Sequence, residues 1–78
     1  MFRDMLPDEF YEYKVTMERL YAALASLPDK QAKRIYAHYF LGLSKAKIAQ
    51  AEGVNVNAVK GSISRGLKNL EKILKKPL

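Results

Sequence analysis

Asn57, Lys60, Gly61, Ser64, Arg65 and Lys68 follow one another at alternating steps of three and one. That spacing places all six on one side of an α-helix at roughly 100° per residue. Amides, a hydroxyl and long cations are the groups that hydrogen-bond base edges and phosphates in a DNA major groove. No acid follows Glu52 until Glu71. The pattern also fits a plain solvated helix face, so the preceding elements must decide between the two.

Those elements predict a helix, a tight turn and a second helix between Leu43 and Leu70. Ser44 is a good N-cap for a short helix over Lys45 to Glu52, because its hydroxyl can accept an unpaired amide of the first turn. Ala46, Ile48, Ala49 and Ala51 give that helix a small-residue body. Gly53 is placed to end it in the left-handed conformation that glycine adopts without a Cβ penalty. Asn55 then caps a longer helix from Val56 to Lys75, stopped before Pro77. Along it Val56, Val59, Ile63, Leu67, Leu70 and Leu74 form an apolar stripe that must face a core. Two helices joined by about three residues containing glycine make a helix-turn-helix pattern.

Two more helices are expected upstream. Leu6, Phe10, Tyr13, Met17, Leu20, Leu24 and Leu27 recur at alternating steps of four and three, which predicts a helix from about Asp8 to Ala25 with a buried seam. A seam of this kind also serves a coiled-coil dimer, although fewer than three heptads favours an intramolecular core. Leu27-Pro28-Asp29 breaks the helix, and the next is expected from Pro28 to about Leu41, closed by Gly42. Ala32, Ile35, Tyr36, Tyr39, Phe40 and Leu43 form its apolar stripe, with Lys30, Lys33, Arg34 and His38 off it or on its margin. The expectation is an all-α, four-helix domain with a C-terminal helix-turn-helix, spanning residues 1–78 as one unit.

Composition narrows the function. The 78 residues include no cysteine and one histidine, His38, which removes disulfide frameworks, thiolate metal sites and a Cys/His nucleophile pair. His38 is expected at a surface or boundary, since no second histidine exists to complete a metal site. No acid-base constellation or metal spacing suggests an enzyme, a cofactor or a small-molecule substrate. No run approaches the ~18 apolar residues of a membrane span, and the start of the chain lacks the apolar core of a signal peptide. A soluble, cytoplasmic protein is expected. The net charge of +6 is divided unevenly: residues 1–29 hold six acids and three bases, residues 30–78 eleven bases and two acids. The cationic part contains the helix-turn-helix pattern, and nucleic acid is its natural partner. A recognition helix suits the B-form major groove and not the deep, narrow A-form one, so double-stranded DNA is expected rather than RNA.

From Ser26 to Leu70 the chain resembles the C-terminal region-four domain of the sigma factors of bacterial RNA polymerase. The matching features are Leu27-Pro28, Arg34, Gly42-Leu43-Ser44, Ile48-Ala49, Gly53-Val54, Val59-Lys60 and Ile63-Ser64-Arg65. The resemblance implies that the last helix reads the minus-thirty-five promoter element and that the helices before it pack on the flap of the polymerase β subunit. LuxR-type DNA-binding domains are built similarly, so a small helix-turn-helix regulator acting without polymerase is the alternative. The family usually has Glu before the Ile-Ala pair where this chain has Lys47, which leaves Arg34 without an acidic partner at that position. Gly61 and Gly66 replace better helix formers, each at a cost of up to ~1 kcal/mol relative to Ala. The promoter-melting sigma domain is not in the sequence, so a fragment of a longer factor or a small sigma-like regulator is expected.

The expected DNA contacts are Asn57, Lys60, Ser64 and Arg65 in the groove and Ser44, Lys45, Lys47 and Lys68 on phosphates. Asn55 and Gly61 complete the set, Gly61 as a place where the helix backbone comes close to the bases. Tyr11, Glu12, Glu18 and Tyr21, on the acidic first helix, are the expected partner-binding residues for polymerase.

Overall fold

The computed structural model describes residues 16–75, which form four helices and, among these residues, no strand. The first, α1, spans Met17–Ala25. Thr16 is extended, with ψ 161°, and its hydroxyl accepts the Arg19 N–H at 3.1 Å. Within the described residues, the helix expected to run unbroken from Asp8 to Ala25 begins at Met17. A β-branched residue whose side chain satisfies a first-turn amide favours a cap over a helix interior. Leu6, Phe10 and Tyr13 of the expected seam lie outside the described residues. Within them Leu20, Leu24 and Leu27 are buried, joined by Ala23, while Met17 is exposed.

Pro28 caps α2, Asp29–Ile35, which widens into a π-helical segment over Tyr36–Phe40. There the Leu41 N–H reaches back five residues to the Tyr36 carbonyl at 3.2 Å. A wider turn advances fewer degrees per residue, so a stripe phased on an α-helix drifts off the core. Ile35 is accordingly buried, Tyr39 and Phe40 are partly buried, and Tyr36 and Leu43, expected inside, are exposed. Gly42, at φ 73°, turns the chain out of the π segment. His38 lies at a boundary and spans this turn, its Nδ1 donating to the Leu43 carbonyl at 2.7 Å.

The last two helices, α3 (Lys45–Glu52) and α4 (Val56–Lys75), have the expected bounds. The other three all pack on α4, whose 20 residues make a rod of ~30 Å. Its stripe faces the core as expected: Val59, Ile63, Leu70 and Leu74 are buried, with Val56 and Leu67 partly so. From α3, Ile48 and Ala49 enter the same core, whereas Ala46 and Ala51 stay exposed. α2 crosses close over Gly66, because a Cβ there would lie 2.5 Å from Cδ1 of Ile35 and 3.2 Å from Cβ of Gln31. Next to it Asn69 Nδ2 donates to Gln31 Oε1 at 3.0 Å. At the far end Arg19 Nη2 donates to the Leu74 carbonyl at 2.8 Å, which sets a cation on the negative end of α4.

Candidate nucleic-acid interface

The turn between α3 and α4 is built from local hydrogen bonds. Gly53 is left-handed at φ 69°, its N–H reaches the Gln50 carbonyl at 3.3 Å, and the Val54 N–H reaches that of Ala49 at 3.0 Å. These two bonds are the Schellman motif, which needs a residue at positive φ. Two residues on, Asn55 Oδ1 accepts the Asn57 N–H at 2.8 Å. On the other side of α3, Ser44 Oγ accepts the Lys47 N–H at 3.0 Å. Both caps spend an acceptor, so the Ser44 hydroxyl proton and the Asn55 amide protons remain available as donors.

The expected contact residues are nearly all open to solvent. Asn57, Lys60, Ser64, Arg65 and Lys68 are exposed on α4 and Gly61 is partly exposed. Ser44, Lys47 and Asn55 are exposed and Lys45 is half-buried. The first turn of α3 carries Lys45 and Lys47 and no acid. That end of the helix already carries partial positive charge from its amides, so the lysines oppose the dipole unless an anion approaches.

Behind the surface stands a clamp that sequence reasoning left incomplete. Arg34, only 4% exposed, extends from α2 to the end of α3 and the start of α4. Its Nε lies 3.2 and 3.1 Å from the two carboxylate oxygens of Glu52, and Nη2 donates to Oε1 at 2.8 Å. Nη1 donates to Ser62 Oγ at 2.6 Å and to the Ala58 carbonyl at 3.4 Å. The acidic partner missing at Lys47 is thus supplied by Glu52. Hydrogen bonding from Arg34 holds the Glu52 carboxyl below the usual carboxylate range against the opposing effect of burial, helped by the charges of Arg34, Lys30 and Lys33. The same bond raises the Arg34 pKa. Glu52 and Ser62 are the structural residues the sequence reading passed over. One signal was present, since Glu52 is the sole acid between Lys30 and Leu70.

A second feature lies away from this surface. Tyr21, Leu24 and Ala25 of α1 face Ala32, Tyr36 and Leu41 across an apolar groove with Lys33 at its edge. Tyr36 stacks on Phe40 at 4.8 Å, and Tyr21 meets the same ring at 5.8 Å. Of the expected partner-binding residues, Tyr21 lines the groove and Glu18 is exposed on the same helix. Tyr11 and Glu12 lie outside the described residues.

Among the described residues there is no cluster of metal-binding side chains, and no helix is long and apolar enough to cross a membrane. A capped helix, a glycine turn and a longer helix with a cationic outer face define the class of helix-turn-helix DNA-binding modules. Residues 17–70 match the family described as Sigma-70, region 4, and the chain belongs to that family. No curated protein and no solved structure matches the chain. The family is a non-catalytic one that binds DNA in transcription initiation and interacts with RNA polymerase.

Proposed function

We propose that α4 reads the minus-thirty-five promoter element from the major groove while the start of α3 rests on the flanking phosphates. In this reading Asn57, Lys60, Ser64 and Arg65 meet base edges, and Ser44, Lys45, Lys47 and Lys68 meet phosphates. Asn55 and Gly61 complete the contact set in this reading. The apolar groove between α1 and α2 takes the flap of the polymerase β subunit, with Tyr21 in its wall and Glu18 exposed on the same helix. Such a protein works on the chromosome, in the cytoplasm.

One observation carries the DNA assignment. The only carboxylate between Lys30 and Leu70 is Glu52, and it is held by Arg34 at 2.8 Å. The outer face of α4 and the first turn of α3 are left with a cationic field suited to a polyanion. Selection of binding sites from random duplex DNA, with and without core RNA polymerase, tests the proposal. A minus-thirty-five-like sequence enriched more strongly with core present supports it. The same enrichment with and without core favours a regulator that acts without polymerase, and no enrichment in either arm rejects sequence reading.

A further inference from the structure

We propose that Gly61 is a positioning residue for Arg65: its bare α-carbon is the seat on which the Arg65 guanidinium lies, turned to meet the edge of a guanine. The inference rests on α4 being the recognition helix and names how one of its residues is aimed. A Cβ built on Gly61 would lie 3.2 Å from Nη1 of Arg65, and 3.7 Å from both Cζ and Nη2. Apart from the adjacent residues and the helix backbone, these are the three heavy atoms nearest to it. The nearest of them is the terminal nitrogen Nη1, so the end of the guanidinium reaches back against the glycine.

Neither usual reason for glycine applies at this position. Positive φ among glycines is confined to Gly42 and Gly53. Close helix packing is the task of Gly66, where an added methyl runs into Ile35. At Gly61 the three nearest atoms that the methyl would meet all belong to the side chain one turn further along α4. Long side chains in a helix lean back over the residue four positions earlier, and for Arg65 that residue is Gly61.

The seat changes where the charge sits. At ~100° per residue the α-carbon of Arg65 lies about 80° around the helix from that of Asn57, whereas Gly61 lies about 40° from it. A guanidinium resting on Gly61 is therefore carried from the margin of the exposed arc toward its middle. Its flat fork matches the O6 and N7 acceptors of guanine when it is correctly oriented, a geometry that a lysine does not provide. Alanine at 61 brings a carbon within 3.2 Å of Nη1, so the guanidinium must shift by a few tenths of an ångström from its place on the helix. The moving part is the end of an exposed side chain, so recognition suffers and the fold does not.

The test is a double-mutant cycle in the 78-residue chain, using Gly61→Ala, Arg65→Ala and both together. The probes are the duplex enriched from a random pool by the native chain and a scrambled duplex of the same length and composition. Gly61→Ala should lose about tenfold in affinity for the enriched duplex, the scale of one bidentate base contact, with binding to the scrambled duplex and the melting temperature not lowered. With Arg65 already replaced, the same change should alter affinity by less than about twofold, because its effect passes through that side chain. An equal loss in both backgrounds, no loss in either, or an equal loss on both duplexes overturns the inference while leaving DNA binding in place. A native chain that enriches no sequence removes the promoter reading and this inference together.

Discussion

Arg34 and Glu52 are 18 positions apart in the chain and 2.8 Å apart in space, so the second helix and the end of the third are held by one charged contact. The carboxylate side of that contact is partly open, at 37% exposure, while the guanidinium is enclosed at 5%. Arg34 also binds Ser62 and the Ala58 carbonyl. A single side chain of α2 is thus bonded to both helices of the DNA-binding unit.

Loss of that contact has a pH signature. The Glu52 carboxyl is held below its ordinary range in the folded chain, so its contribution is complete above the unfolded value of about 4.3 and disappears as the pH falls through the lower, folded value. Melting temperature should fall on acidification below about pH 5, and Glu52→Gln should flatten that part of the curve. At neutral pH the same change should cost about 1 kcal/mol, reduced from the value of a buried pair by the exposure of Glu52. Thermal denaturation followed by circular dichroism from pH 3 to 7 measures both effects. An acid limb identical in the two proteins assigns it to other carboxyls.

Gly66→Ala should destabilise the chain even though alanine is the better helix former. The new methyl is built 2.5 Å from Ile35 Cδ1, and such overpacking costs roughly 1–3 kcal/mol against a gain of up to ~1 kcal/mol in propensity. Ile35→Val removes the offending carbon at a cost of roughly 1 kcal/mol by itself. The double mutant should be more stable than the sum of the two singles, which denaturant unfolding can measure. Strict additivity would place the strain elsewhere.

Binding to duplex DNA should weaken steeply with salt. With about four phosphates contacted, the slope of log K against log salt is roughly −3.6, so a fourfold rise in salt lowers affinity about a hundredfold. Lys47→Ala should reduce the slope by about one, with similar losses on all sequences. Fluorescence anisotropy titrations at several salt concentrations give the slope directly.

Changes in the groove should separate the two partners. Leu41 is 60% exposed and Tyr36 is 42% exposed, so serine at either position should shift stability by only about 0.5 kcal/mol. Association with core polymerase should fall by roughly tenfold for an apolar anchor of this kind, and duplex DNA binding should not change. A pull-down with core enzyme beside a DNA titration reads both, and undiminished polymerase association would remove the groove from the docking surface.

The parts of the fold that depend on neighbours in the chain were legible in the sequence. Ser44, Gly53 and Asn55 act within three residues of themselves, so residue type alone announces α3, the turn and the start of α4. The cationic arc was legible for the same reason, since a 20-residue helix keeps its phase. Contacts between distant residues were not. Nothing local shows that Glu52 would supply the partner missing at Lys47, or that Gly66 marks the approach of α2 and not a weak point in α4. Thr16 and the π segment at Tyr36 escaped for another reason. A cap inside an apolar seam and a widened turn both leave the hydrophobic spacing along the chain nearly unchanged, and it is that spacing which announces a helix.

The points at which α4 is held fall close to one per turn: Arg34 at Ala58 and Ser62, Ile35 at Gly66, Gln31 at Asn69 and Arg19 at Leu74. A rod fastened at that interval does not rock on its neighbours to fit an imperfect site. Its orientational entropy is lost when the chain folds, and little remains to be lost on meeting a ligand. Accommodation of a mismatched sequence then falls to the duplex, and tolerance at each position should follow how easily that base step bends or changes its groove width.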